Sequence, residues 1–358
     1  MILVTGGTGT LGRGLVERLA GSMRTPIIVL TRSPESAAQV LPTEVGVIRG
    51  DVIAGAALGM TPSERSALCE AVTHIVHGAA NTTFNHPLGD ARASNVEGTR
   101  AMLDFALDCP KLQRVMCFST MYVAGRLTGC FRENDVGGLA GFVNTYEQSK
   151  AEMEVLVRER MAQLPIALVR LSTIIGDSRT GEVTGFNAVH HALRLLYQGL
   201  APMVPGQESA LVDLIPVDYA TAASHYLFAS AFEAGATYHV CAGANASATL
   251  GALLDATMAA FERYRPAWRK RSIVRPAIVD LDTYELFVRS VEEAGNTVLL
   301  QATRAVQAFA YQLGFPKVFD AQHTEGLLRP AGIEVPAVLS YYENVVQWCI
   351  ETNWGAPA

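Results

Sequence analysis

The chain opens on a short branched run, Ile2-Leu-Val-Thr5, followed at once by glycines at 6, 9 and 12 and then by the helical pattern of residues 11–20. A strand that turns into a helix through three glycines leaves few folds open. The missing side chains tighten the turn and let backbone N–H groups at the positive end of the helix meet an anion. The expected ligand is a dinucleotide pyrophosphate, with Gly6, Thr8, Gly9, Thr10, Leu11 and Gly12 making the turn.

Branched runs at 27–31, 45–49, 73–77, 115–119, 166–171 and 237–241 recur down the chain. Helical patterns lie between several of them, including 93–109, 145–161 and 218–231. This alternation predicts an α/β fold: a Rossmann-type, doubly wound, mostly parallel sheet with helices on both faces. From 251 the pattern is largely helical, with segments near 251–263, 282–294 and 298–313 and a closing helix near Trp348. The expected organisation is a dinucleotide-binding domain over 1–250, with substrate-contacting insertions around 177–210, and a smaller, mainly helical substrate-binding region over 251–358.

Apolar residues make up 49% and charged residues 17%, with a net charge of −6, so neither a disordered chain nor a nucleic-acid or anionic-membrane partner is expected. No apolar run reaches the roughly 18 residues of a spanning helix, and the first residues lack the basic and apolar blocks of an export signal. Six scattered cysteines read as reduced core residues of a cytoplasmic protein, and the histidines as packing residues with no metal site. Arg263 to Arg271 carries five basic residues, read as a solvated connection with Trp268 tucked against a helix; contact with an anionic substrate tail or carrier phosphate is the alternative.

Strand two ends Leu30-Thr-Arg-Ser33. Arg32 stands where an acidic residue would accept hydrogen bonds from the ribose hydroxyls of NAD, and arginine can instead pair with a 2'-phosphate. The expected cofactor is therefore NADP(H), with NAD(H) possible, and Arg13 is a second contact. Asp51 can accept from the adenine amino group beside Val52, and the small pair Ala79 and Ala80 lets the cofactor lie against backbone.

Tyr146 and Lys150 are spaced i,i+4, so one helix face presents a phenol and an ammonium together. The ammonium is expected to favour phenolate, and the phenol to exchange a proton with a substrate oxygen as hydride moves. Thr120, at the end of strand five, would orient a carbonyl, with Ser119 the close alternative.

These residues resemble the extended short-chain dehydrogenase/reductase superfamily over roughly residues 1–240. The matching segments are Thr5-Gly-Gly-Thr-Gly-Thr-Leu-Gly12, Gly50-Asp51, His77-Gly-Ala-Ala80, Asn95-Val-Glu-Gly-Thr99, Ser119-Thr-Met-Tyr-Val-Ala-Gly125, Tyr146 with Lys150, and Val217-Asp-Tyr219. Within it, His77-Gly-Ala-Ala-Asn-Thr-Thr-Phe84 is similar to fatty acyl reductases, and Arg170-Leu-Ser-Thr-Ile-Ile-Gly-Asp-Ser-Arg-Thr-Gly181 to thioester reductase domains. The resemblance implies NADPH-dependent reduction of an acyl thioester, on coenzyme A or a carrier, to an aldehyde and in some members an alcohol. It also implies the catalytic set Thr120, Tyr146 and Lys150, and places Ser172 and Thr173 beside the nicotinamide.

Because the sequence begins at the glycine turn, a carrier supplied in trans is one expectation, and free coenzyme A thioesters or simple carbonyls are others. Phe186, Leu196, Tyr197, Phe261, Phe287, Phe309 and Phe315 are candidates for an apolar substrate surface. The same catalytic set would serve a hydroxysteroid-type dehydrogenase or a nucleotide-sugar epimerase or dehydratase. A non-catalytic NADP-binding regulator is the reading from another class, and the oligomeric state stays open, with apolar helices of the first 160 residues able to form the seam of a homodimer.

Overall fold

A computed structural model describes residues 1–84, 86–271 and 273–355. Seven parallel strands form the central sheet: β1 (Ile2–Thr5), β2 (Ile27–Thr31), β3 (Gly46–Arg49), β4 (His74–His77), β5 (Arg114–Thr120), β6 (Ile166–Leu171) and β7 (Thr237–Val240). Their order is β7-β6-β5-β4-β1-β2-β3. The chain therefore winds outward in one direction through β2 and β3 and in the other from β4 onward. The reversal falls between β1 and β4, where a crevice opens at the carboxyl ends of the strands.

Near-continuous burial of β1, β4 and β7 fits strands covered on both faces. One apolar cluster lies on the face carrying α1 (Thr10–Ser22) and includes Val16, Leu19 and Tyr219. The other, with Met102, Phe105, Met153 and Val157, lies under α2 (Gly98–Leu107) and α3 (Thr145–Arg160). The C-terminal region contributes α4 (Leu250–Tyr264), α5 (Leu281–Glu293), α6 (Thr297–Leu313) and α7 (Val338–Glu351). Val338 and Tyr341 of α7 share the first cluster with Ile2 and Val4 of β1, so the closing helix packs into the core of the sheet domain.

The helix expected over 93–109 differs from the one observed. Helix begins at Leu88, widens through a π-turn over Ala93–Glu97 and continues as α2. Asn95 lies in that turn: its amide donates to the Asn81 carbonyl at 3.0 Å and to Ser149 Oγ at 2.9 Å, while Thr99 donates to its carbonyl. π-turns of this kind mark functional segments, and this one ties the loop after β4 to α3. Two short parallel pairs, 129–131 with 317–319 and 203–205 with 277–279, fasten the C-terminal region to the first 250 residues. Three-residue strands carry no readable period.

Of the cysteines, Cys69, Cys109, Cys117, Cys241 and Cys349 are buried and Cys130 is exposed, so the core reading fails at 130; all six are free. Trp268 packs on Tyr197 and Phe261 and donates to the Tyr197 carbonyl at 2.8 Å, as expected of a tucked side chain. The side chains of Arg269, Lys270 and Arg271 lie outside the described residues.

Behind the carboxyl end of the sheet, Arg170 is fully buried and pairs with Glu154 at 2.7 Å. Glu154 also accepts from Ser119 at 2.6 Å, Arg170 contacts His239 at 3.1 Å, and the guanidinium lies over the Phe131 ring at 4.7 Å. Removing one partner strands the other charge. Arg170→Leu should lower unfolding free energy by about 3–5 kcal/mol in urea denaturation; a loss under about 1 kcal/mol would show that the pair is dispensable.

Candidate active site

The three glycines of the first turn serve different needs. Gly6 has φ +73°, and a Cβ there would lie 2.5 Å from the Gly78 carbonyl carbon, so β1 and the loop after β4 touch only because it has none. A Cβ on Gly12 would fall 2.1 Å from the Gly6 oxygen. Gly9 is unlike both: its nearest contact would be an ordinary 3.4 Å, so packing does not demand glycine there. It sits at the N-terminus of α1, which has neither a capping side chain nor an acidic residue in its first turn. Open N–H groups and the helix dipole therefore face the crevice, an arrangement suited to a pyrophosphate.

The crevice is a cleft of ≈ 810 Å³. Gly6, Thr8, Gly9, Thr10, Leu11, Gly12, Arg32, Asp51, Val52, Ala79, Ala80, Tyr146 and Lys150 all border it. Arg32 is exposed, and its carbonyl accepts from Arg49 at 2.9 Å, placing a second guanidinium nearby that pairs with Glu35 at 2.8 Å. Asp51 accepts from the Ile53 N–H at 3.1 Å through Oδ1. The donor set, shape and charge of this cleft fit a dinucleotide.

Four expected contacts are placed elsewhere. Arg13 pairs with Glu17 at 3.2 Å, one turn on along α1, and does not border the cleft. Ser172 is buried and donates to the Asp213 carbonyl at 2.9 Å, and Thr173 is hydrogen-bonded to the Tyr122 hydroxyl at 2.8 Å. Their neighbours Leu171 and Ile174 border the cleft instead. Thr120 is buried beside Tyr146 without lining the cleft, whereas Ser119 lines it. Of the two hydroxyls, that of Ser119 donates to Glu154 at 2.6 Å, whereas that of Thr120 accepts from the Tyr122 N–H at 3.2 Å and pulls the Tyr146 phenol toward a lower pKa.

Asn144 caps α3 by accepting from the Glu147 N–H at 3.0 Å, which fixes Tyr146 in the first turn and Lys150 one turn later. Both are buried. Lys150 Nζ donates to the Phe118 carbonyl at 2.7 Å. Burial pushes the Tyr146 phenol up to about 12, against the pull of its hydrogen bond with Thr120 and with a further push from Glu147. In the protein alone, desolvation thus works against the lowering expected from Lys150. Burial also lowers Lys150 to about 8, opposed by the nearby Glu154 carboxylate. A phenol held this high stays protonated at neutral pH and suits proton donation.

Phe84 lies 5.6 Å from the Tyr146 ring and 6.5 Å from Tyr122, and Thr145 donates to the carbonyls of Phe84 and His86. Thr82, Thr83, His86 and Ser94 border the cleft on this side; the first three sit in a loop without periodicity and Ser94 in the π-turn, so sequence reasoning missed them. Asn95, which anchors that loop, was visible only as part of a resemblance.

Two buried histidines fill packing roles: His77 bridges Thr5 and Thr99, and His190 accepts from the Asn187 N–H and meets the Ile175 carbonyl. Among the described residues no cluster could hold a metal, and no helix is long and apolar enough to cross a membrane. Leu196, Phe287 and Phe309 line an apolar cavity of ≈ 100 Å³ between α4, α6 and the helix Ala188–Gln198. Phe315 borders an adjoining cavity of ≈ 40 Å³ that shares Val212, Leu250, Phe309 and Leu313 and reaches Tyr122. Phe186, Tyr197 and Phe261 border neither cavity and pack among aromatic neighbours.

The NAD-binding family model described as "Male sterility protein" matches residues 4–224. The chain is 23% identical over 282 residues to "Fatty acyl-CoA reductase wat" of Drosophila melanogaster, covering 65% of this chain and 54% of that protein. It is 26% identical over 268 residues to "Fatty acyl-CoA reductase 1" of Homo sapiens, covering 61% and 52%. The chain thus spans about half the length of these curated relatives. Among solved structures, the terminal R domain from the myxalamid PKS-NRPS biosynthetic pathway superposes with a TM-score of 0.78 at 26% identity, over 100% of this chain and 92% of that one. With its glycine turn, seven-stranded sheet and tyrosine–lysine helix, the chain belongs to the male sterility protein family of NAD-binding proteins, on the fatty acyl and thioester reductase branch of the extended short-chain dehydrogenase/reductases.

Proposed function

We propose that the protein is an NADPH-dependent reductase of an apolar acyl thioester, yielding an aldehyde or, after a second reduction, an alcohol. The observation that carries this reading is the buried Thr120, Tyr146 and Lys150 group, of which Tyr146 and Lys150 border the cleft, together with the apolar cavity of the C-terminal region. The fatty acyl-CoA reductases and the pathway R domain named above support the thioester substrate by similarity.

When bound, the reduced nicotinamide supplies a hydride. The glycine turn and the N-terminus of α1 would hold the pyrophosphate, Arg32 the 2'-phosphate, and Ala79 and Ala80 the space beside it. Thr120 and Tyr146 would hold the substrate carbonyl oxygen by hydrogen bonds, and the Tyr146 phenol would give it a proton as negative charge develops. Lys150, one turn on along the same helix, would stabilise the phenolate left behind. With a thioester, the hemithioacetal hydroxyl gives its proton to the departing sulfur as C=O re-forms, releasing aldehyde and thiol, and the Tyr146 phenolate regains from solvent the one proton the reduction consumes.

A nucleotide-sugar substrate needs basic groups for its diphosphate, and the ≈ 100 Å³ cavity is lined mainly by aliphatic and aromatic side chains, which favours the acyl reading. The thioester would be one of coenzyme A or of a carrier protein. A cytoplasmic location and a homodimer complete the proposal.

Two substitutions test it. Tyr146→Phe should reduce thioester turnover by about 100-fold or more while leaving NADPH affinity within about twofold, followed by nicotinamide absorbance and fluorescence; retained turnover would remove Tyr146 as the proton donor. Arg32→Ala should cut the ratio of NADPH to NADH affinity by about tenfold or more. An unchanged ratio would place the 2'-phosphate elsewhere.

A further inference from the structure

Glu147, next to the proposed proton donor, has no part in the chemistry above, yet its side chain is almost wholly buried. Its carboxylate accepts from the Val143 N–H at 2.9 Å and from Asn144 Nδ2 at 2.7 Å, both local to the start of α3. It also accepts from Gln312 Nε2, 165 residues away at the end of α6. Gln312 Oε1 in turn accepts from Lys317 at 2.9 Å, and Lys317 donates to the Gly125 carbonyl in the turn that follows β5. Capping of α3 needs only Asn144. The reach to Gln312 and Lys317 joins the catalytic helix, the turn carrying Tyr122 and the C-terminal segment that lines both apolar cavities.

We propose that Glu147, Gln312 and Lys317 form a latch through which the substrate-side segment 297–319 sets the placement of Tyr146, making Glu147 a positioning residue. The inference rests on reading Tyr146 as the proton donor. The ionisable groups facing Glu147 are Lys317 from the strand Lys317–Phe319, Tyr122 from the turn after β5, and Tyr146 on its own helix. Burial raises Glu147 to about 7, relieved in part by its hydrogen bonds and by Lys317, and its charge in turn raises Tyr146. A change in the seating of α6 would therefore reach the phenol both as a shift of the α3 N-terminus and as a change in the local field.

The test compares Glu147→Gln and Gln312→Leu with the parent protein. In both, kcat for the thioester should fall on the order of tenfold or more, with NADPH affinity and near-ultraviolet dichroism unchanged. In Glu147→Gln, the Tyr146 phenolate should also appear at lower pH, read as the difference in ultraviolet titration between each protein and its Tyr146→Phe counterpart. A kcat and a titration equal to those of the parent would overturn the latch, as would a loss of turnover matched by loss of folded protein. If Glu147→Gln does not fold, Gln312→Leu carries the decision alone through kcat. The phenolate titration needs no substrate, so a parent protein inactive on thioesters would defeat the proposed substrate and leave the latch decided by that shift.

Discussion

The contact between the first turn and the loop after β4 governs the rest of the site. Gly6 lies against Gly78 at a distance no side chain could tolerate, and Gly12 closes the turn over Gly6 in the same way. With both in place the turn stays low over the paired ends of β1 and β4, and the cleft lies above it with the uncapped start of α1 on one wall. Gly9 is then free to serve the ligand rather than the fold. Steric need and binding need are thus divided among three glycines that look equivalent in the sequence.

The reaction centre is built by a different means. Tyr146 and Lys150 are placed by the Asn144 cap and by burial of α3 against β5 and β6, with charged groups packed around them. Glu154 and Arg170 lie beneath Lys150, while Glu147 and Lys317 lie beside Tyr146. Burial moves the phenol and the ammonium in opposite directions from their ordinary values, toward a protonated acid and a cation that loses its charge more readily. Neither shift was legible in the i,i+4 spacing, which gives proximity but not dielectric.

Much of the fold was readable because parallel strands buried on both faces write themselves as branched runs, and all seven were found to within a residue at each end. The turn residues, Arg32, Asp51, Ala79 and Ala80 follow from strand ends, and they do meet at one cleft. Arg13, Ser172 and Thr173 did not, since a position near the cofactor in sequence says nothing of where a rotamer points: each is tied to Glu17, Asp213 or Tyr122. The π-turn at Asn95 and the short strands that fasten the C-terminal region depend on partners dozens to hundreds of residues away, and no local pattern records them.

A crystal structure of the protein with NADP+ bound tests the central claim most directly. The account predicts the Tyr146 hydroxyl facing the nicotinamide C4 edge, with Lys150 Nζ turned from the Phe118 carbonyl toward the nicotinamide ribose. A ring lying away from Tyr146, with Lys150 still held by Phe118 and beyond reach of the sugar, would contradict it.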